Sequence, residues 1–84
     1  MQIGVGRIVH VSASGIHPQG SNEPMAGIIT GLRGGGVSDT RNGDAYVDIT
    51  VFPPGLVPVP LPNVCLSEYP RAGLSAFPPQ HVGP

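Results

Sequence analysis

The alternation of apolar and polar side chains predicts one strand with particular clarity, at residues 45–52. In the sequence A-Y-V-D-I-T-V-F every second side chain is apolar, which is the pattern of a strand with one face on a core and the other partly wet. Residues 5–12 (V-G-R-I-V-H-V-S) predict an earlier strand with its three valines on one face. Arg7 falls on that face, and we expect its head to reach water near the end of the strand.

Glycines mark the middle of the chain. Residues 25–32 (M-A-G-I-I-T-G-L) predict another strand, in which Gly27 and Gly31 indicate a bulge, a sharp bend or a close approach of two backbones. Farther along, the pair Asn42-Gly43 is typical of a type I′ hairpin turn, because that turn needs positive φ at both central residues.

Proline occupies every second position of residues 57–62 (V-P-V-P-L-P). Because successive N–H groups of a strand point to opposite edges, Pro58, Pro60 and Pro62 remove the donors from one edge only. The segment is therefore predicted to be an edge strand that pairs inward and blocks pairing outward. A polyproline-type ridge is the alternative. Residues 63–67 (N-V-C-L-S) predict a last short strand.

The glycines and prolines between these strands indicate the fold class. Thirteen glycines and eleven prolines occur in 84 residues, and no apolar stripe with the period of a helix lies between them. A chain of this length forms one domain near the lower limit for a core of its own. We therefore predict an all-β fold, a small SH3-like or OB-like barrel of four to five short strands over residues 1–67.

Residues 68–84 are predicted to form an extended, Pro-rich C-terminal tail. Four prolines fall after residue 68, without apolar periodicity. Tyr69, Leu74 and Phe77 are spaced so that an extended segment could dock onto a neighbouring subunit. Packing of this tail onto its own barrel is the alternative.

The chain is unusually poor in charge. Four arginines and five acidic residues, without lysine, make up 11% of it, against about 25% in ordinary soluble domains. We expect partners to cover much of a surface with so little charge; an uncharged but hydrophilic surface is the alternative. The net charge of −1 and the lack of a basic run argue against nucleic acid as a partner.

The sequence offers no catalytic or metal-binding pattern. The three histidines are far apart, and none lies at ligand spacing from Cys65. Cys65 stands between Val64 and Leu66, as a small core residue does, and being the only cysteine it excludes an internal disulfide. No stretch has the length of a membrane span or the character of a signal peptide. We therefore predict a soluble, non-exported chain that is not an enzyme and holds no cofactor or metal.

Three segments together resemble a family of small SH3-like β-barrel proteins, of unassigned function, that tailed phages and prophages encode. They are G-R-I-V-H at residues 6–10, M-A-G-I-I-T at 25–30 and V-D-I-T-V-F-P-P-G at 47–55. Val11 departs from the aromatic residue that the family has after the histidine, and residues 68–84 have no counterpart there. The resemblance implies a phage origin and a barrel, and it implies no reaction.

The function that we favour is that of a phage virion structural protein, a capsid decoration (cement) or accessory head protein. Such a protein would be located in the virion, assembled in the host bacterial cytoplasm, and would bind capsid or other virion subunits as a homo-oligomer or assembly component. The predicted contact residues are Tyr69, Leu74, Phe77, Pro58, Pro60 and Pro62.

The alternative is a small phage-encoded binding protein that sequesters a nucleotide immune signal or blocks a host defence protein. A nucleotide would need arginine for its phosphates and an aromatic ring for its base. The candidate residues are Arg7, Arg33, Arg41, Tyr46 and Phe52. These arginines are scattered along the chain, and the structural role is therefore preferred.

Overall fold

The protein is an all-β barrel in the computed structural model, which describes residues 1–34 and 37–79. The strands are β1 (Ile8–Ser12), β2 (Met25–Gly34), β3 (Ala45–Phe52), β4 (Val59–Leu66) and β5 (Ser75–Phe77). Consecutive strands pair, and β5 returns to β1 to close the barrel. All pairs are antiparallel except β4 with β5. The predicted fold class, a small all-β barrel, is confirmed.

The core follows from the alternation along the strands. Every second residue of β3 is buried, and the inward side chains of the other strands meet them. The side chains with at most 1% exposure in this cluster are Val9, Val11, Ile29, Val47, Ile49, Val51, Leu66 and Ala76. Within the described residues, no helix is long and apolar enough to cross a membrane.

The first strand is shorter than predicted. It begins at Ile8, and Val5 lies before it with 65% of its surface exposed. The prediction that all three valines share the buried face is therefore wrong for this one. A turn explains the difference, since the N–H of Arg7 donates to the carbonyl of Gly4 at 3.2 Å and Gly6 has a φ of 91°. Arg7 is accordingly outside the strand and exposed.

Gly27 and Gly31 of β2 serve the purposes that the sequence indicates. A Cβ atom on Gly27 would lie 2.9 Å from Cγ2 of Ile49 and 3.2 Å from Cγ2 of Val11, so two strands approach closely there. At Gly31 the register between β2 and β3 shifts, and a Cβ atom would lie 2.8 Å from Oδ2 of Asp48. The first glycine permits close packing and the second a bulge.

The two elements predicted over residues 57–67 are one strand, β4. It bends at Asn63, whose φ is 55°, and its register with β3 shifts between Leu61 and Val64. Before that bend β4 pairs with β3 alone among the described strands, as expected of the proline-containing edge. The prolines therefore belong to an edge strand from Val59 onward, and Pro58 precedes it.

The prediction of a type I′ turn at Asn42-Gly43 is wrong. Thr40–Asn42 forms a short 3₁₀ helix instead, and only Gly43 of that pair has positive φ. The side chain of Asp39 accepts the N–H of Arg41 at 2.9 Å and so caps this turn. The cap formed by Asp39, three residues before Asn42, therefore outweighs the preference of Asn42-Gly43 for a type I′ turn.

The barrel also extends beyond residue 67, so the predicted boundary between a barrel and a tail cuts through the domain. Ser75–Phe77 is the closing strand: Ala76 pairs with Val11 on one side and with Leu66 on the other. All three of its residues are buried. Three residues are too few to show an alternating pattern, which explains the error. Residues 80–84 of the predicted tail lie outside the described residues.

Candidate protein-binding surfaces

Two rows of outward side chains run across the sheet without a charge. Their positions follow from the register, because paired residues share a face and every second residue of a strand faces outward. We call them the uncharged face. One row is Ile8, Ile28, Thr50 and Pro60, and the other is His10, Ala26 and Phe52, with the buried Phe77 paired to His10 at its end.

The uncharged face leaves large apolar groups in water. Ile8 is 58% exposed and Phe52 is 42% exposed, with the exposed Ala26 in the row of Phe52. His10 is half-buried against Phe77, with ring centroids 6.1 Å apart at an interplanar angle of 84°, an edge-to-face arrangement. Exposed apolar side chains grouped on one face without a charge are typical of an interaction site.

A second apolar feature is the segment 56–62, L-V-P-V-P-L-P, which we call the proline ridge. It contains seven consecutive apolar residues, and Val57 at 78% and Leu56 at 55% are among the most exposed large side chains of the described chain. Pro60 lies opposite Thr50 in the register of β4 with β3. The prolines of this segment have no N–H and offer no hydrogen-bond donor to a further strand.

A third feature is a concave one, which we call the Tyr46 pocket. Ile3, Leu32, Val37 and Tyr46 are among the side chains that enclose about 210 Å³. Leu32 is 56% exposed and Tyr46 is 46% exposed. Tyr46 stands near the start of β3 and Phe52 at its end, a separation of roughly 20 Å at about 3.3 Å per residue. The pocket therefore lies toward the other end of β3 from Val59, the first β4 residue of the ridge, which pairs with Val51.

The candidate nucleotide-binding residues are not assembled into one site. Arg33 Nε lies 2.8 Å from Asp48 Oδ1, and Arg41 Nη2 lies 2.8 Å from Asp39 Oδ2. Arg7 is exposed on the segment before β1. Two of the three arginines therefore already have a carboxylate as partner, which offsets the positive charge that a phosphate would need.

The pKa values of these groups agree with the ion pairs. Hydrogen bonds from the side chain and the backbone of Arg41 hold the pKa of Asp39 well below its usual range, and the same pair raises the pKa of Arg41. The pKa of Asp48 is lowered as well, first by the backbone N–H of Asn63 and then by the side chain of Arg33. The carboxylates of Asp39 and Asp48 are accordingly held in their ionised form by contacts within the fold.

Residues from the two predicted sets do meet at one groove. Arg33, Pro60 and Pro62 line it together with Asp48 and Leu61. The groove lies beside the edge of β4, where the Arg33–Asp48 ion pair borders the proline ridge. The structure thus joins one candidate ligand-binding residue to two candidate contact residues.

The predicted tail anchors divide into two kinds. Tyr69 and Leu74 are 69% and 51% exposed, whereas Phe77 is 1% exposed because it belongs to β5. The segment between β4 and β5 is held by Arg71, whose N–H donates to Oγ of Ser75 at 2.8 Å. For Phe77 the packing onto its own barrel, which the sequence left open, is the arrangement found.

Sequence reasoning missed most of the uncharged face. Ile8, Ala26 and Ile28 carry no functional signature, but the alternation of β1 and β2 places them opposite the core. Leu32 was missed because the bulge at Gly31 changes which residues face outward. The sequence signal that indicates this face is the absence of charged residues at successive outward positions of the strands.

Comparison of this chain with protein-family models, with curated proteins and with solved structures found no match. Within the part of the chain that the structure describes, no group of three or more His, Cys, Asp or Glu residues could hold a metal ion. The function is therefore argued from the surfaces themselves.

Proposed function

We propose that this protein is a non-catalytic structural component of a phage particle, a capsid decoration or accessory head protein. It binds capsid or other virion subunits through the uncharged face. The observation that carries this proposal is the pair of adjoining outward rows without a charged side chain, in which Ile8 and Phe52 are 58% and 42% exposed.

Covering this face would stabilise a complex. Complete burial of a large apolar side chain contributes about 1.5–3 kcal/mol, so covering the exposed part of Ile8 or Phe52 contributes about 1 kcal/mol each. No charge in these rows would have to be desolvated on binding. Burial of apolar side chains without the cost of desolvating a charge is typical of a permanent contact in an assembly.

The sparse charge and the phage resemblance support the same role. Only 11% of the residues are charged, and a decoration protein keeps much of its surface against neighbours. The nucleotide-sequestering alternative receives less support, because Arg33 and Arg41 already face carboxylates. The exposed Arg7 alone offers little to a phosphate group.

The test is the composition of purified particles assembled with variant protein. Ala26→Glu places a charge at an exposed position within the uncharged face and removes no buried contact. Gln19→Glu adds the same charge at an exposed loop position that is not part of this face and serves as the control. Circular dichroism verifies that both variants fold. We expect the first variant to be depleted from particles at least tenfold and the second to be retained at the wild-type ratio. Equal retention of both would contradict the proposed face, and absence of the wild-type protein from particles would contradict the proposed role.

A further inference from the structure

The asparagines of the chain differ in the residue that follows them. They are Asn22, Asn42 and Asn63, and all are exposed. An asparagine side chain loses ammonia when the backbone nitrogen of the next residue attacks its carboxamide carbon. The reaction is intramolecular, and a bulky next residue hinders it. Only Asn42 precedes a glycine, Gly43, and is therefore the asparagine at which this chemistry meets the least steric hindrance.

The carboxamide of Asn42 is free to react. Asn42 is the last residue of the 3₁₀ helix Thr40–Asn42, and its backbone N–H donates to the carbonyl of Asp39 at 2.9 Å. Its exposed side chain makes no hydrogen bond to any residue that the structure describes. A carboxamide that is neither buried nor bound to a partner can rotate toward the backbone nitrogen that follows it.

The attacking nitrogen is weakly held. The N–H of Gly43 donates to the carbonyl of Thr40 at 3.5 Å, which is long for a hydrogen bond between backbone groups. Gly43 is exposed and carries no side chain that would shield this nitrogen. Opening the end of the turn therefore costs little, as expected of a surface segment with weak hydrogen bonds.

The other two asparagines lack these properties. The N–H of Glu23, which follows Asn22, donates to Oγ of Ser21 at 3.0 Å. Val64, which follows Asn63, lies within β4, is 3% exposed and is β-branched, so its nitrogen is shielded. Both asparagines thus serve as controls within the same chain.

We propose that Asn42 is a site of spontaneous deamidation in the folded protein. The nitrogen of Gly43 loses its proton to the solvent and attacks Cγ of Asn42, which closes a five-membered imide. The bond from Cγ to the side-chain nitrogen breaks, and this nitrogen takes a proton from water and leaves as ammonia. Water then opens the imide at either carbonyl. One product is aspartate at position 42, and the other is isoaspartate, in which the main chain runs through Cβ.

The modification changes the connection between β2 and β3. It adds a negative charge to a chain whose net charge is −1, so ion exchange separates the modified form. Position 42 lies between Asp39 and Asp44 in the chain, and a further carboxylate there is repelled by like charges. Isoaspartate also lengthens the main chain by one carbon at the end of the turn. This inference goes beyond the proposed particle role and does not depend on it.

The experiment incubates the purified full chain in mildly alkaline buffer and follows each asparagine by mass spectrometry of its peptides. We expect Asn42 to convert to both aspartate and isoaspartate, while Asn22 and Asn63 stay intact. The rate should rise with pH, because the deprotonated nitrogen is the attacking group. The chain unfolded in urea gives the rate of an unrestrained Asn42-Gly43 pair. The folded chain should react within about tenfold of that rate, a barrier difference below about 1.4 kcal/mol.

Two variants test the roles of the reacting groups. Asn42→Gln keeps an exposed carboxamide but requires a larger ring, so it should stay intact. Gly43→Ala should slow the reaction at least about tenfold, because its methyl group hinders the attack. The φ of 141° at Gly43 is strained for alanine, so circular dichroism verifies the fold of both variants, and Asn42→Gln alone suffices for the test.

Each of three results would overturn the inference. In the first, Asn42 stays intact in the folded chain while the unfolded chain reacts, which would show that the fold protects it. In the second, Asn22 or Asn63 reacts as fast as Asn42, so that Gly43 confers no advantage. In the third, aspartate is the sole product, because direct hydrolysis of the side chain does not pass through the nitrogen of Gly43.

Discussion

The backbone N–H of Asn63 donates to Oδ1 of Asp48 at 3.0 Å. This contact joins two irregular places of the sheet, because Asp48 faces the bulge at Gly31 of β2 on one side and the bend at Asn63 of β4 on the other. The same oxygen accepts from Arg33 Nε at 2.8 Å. One carboxylate on the central strand thus fixes the bends of both neighbouring strands.

Substitution of Asp48 should therefore lower the melting temperature more than a surface mutation does. Asp48→Ala removes the acceptor for Asn63 and the charge opposite Arg33. Asp48→Asn keeps an oxygen acceptor and loses only the charge, so its melting temperature should lie between those of Asp48→Ala and the wild type. Thermal unfolding followed by circular dichroism measures both. Glu23→Gln, an exposed residue outside the ion pairs of the described chain, is the control; an equal effect in all three variants would contradict this function of Asp48.

Stability should fall in acid. The pKa values of Asp39 and Asp48 are lowered in the folded state, so the unfolded chain takes up protons more readily at these groups. The stabilisation is complete above the ordinary aspartate pKa of about 3.9 and is lost as pH falls below it. We expect melting temperatures that are steady above about pH 5 and decline below about pH 4.

The same pH series on Asp48→Asn provides the check on that explanation. This variant should show a shallower decline, because one of the two groups can no longer take up a proton. Two results would show that these carboxylates do not cause the loss of stability in acid. One is a melting temperature that rises as pH falls from 4 to 2, and the other is an equally steep decline of the melting temperature in Asp48→Asn and in the wild type.

Gly27→Ala should destabilise the core. The added methyl group would lie 2.9 Å from Ile49, 3.2 Å from Val11 and 3.3 Å from the carbonyl of Thr50. Overpacking of this kind costs about 1–3 kcal/mol. Urea unfolding gives the free energy of unfolding. Gly15→Ala, where a Cβ atom would meet nothing within 4 Å, is the matched control, and a Gly27→Ala variant as stable as this control would show that the side chains around Gly27 can shift without cost.

The closing strand should be essential to the domain. Phe77 is 1% exposed, and its replacement by alanine should cost about 3–5 kcal/mol. Leu74→Ala alters a neighbour that is 51% exposed and should cost less than about 1 kcal/mol. Chemical unfolding of the two variants distinguishes them. Equal stability would restore the predicted division into a barrel of residues 1–67 and a separate tail.

The fold was predictable where a strand is long enough to display its period. Ala45–Phe52 has an unbroken alternation, and its predicted bounds coincide with those of β3. The prolines of β4 also predicted an edge strand, because a residue without an N–H cannot donate a hydrogen bond to a neighbouring strand. In contrast, Ser75–Phe77 has three residues and no period, and its place is set by the gap that β1 and β4 leave.

The candidate surfaces were less predictable, because they depend on register. The prolines of the ridge were identified from the sequence, but the neighbours of Ile8 and Phe52 across the sheet were not, since pairing partners cannot be read from one strand alone. The Tyr46 pocket needed the fold as well. Leu32 lines it from β2 and Val37 from the segment before the 3₁₀ helix, next to the first residues of β3.

The central claim, that this protein binds other proteins and not a small molecule, is tested most directly by native mass spectrometry of the untagged protein isolated from infected cells. We expect a chain that carries no small-molecule adduct and that is found with assembled particles at a fixed ratio to the capsid subunit. A defined oligomer with a small-molecule adduct that is released on denaturation, and that is absent from particles, would contradict the account and establish a ligand-sequestering protein instead.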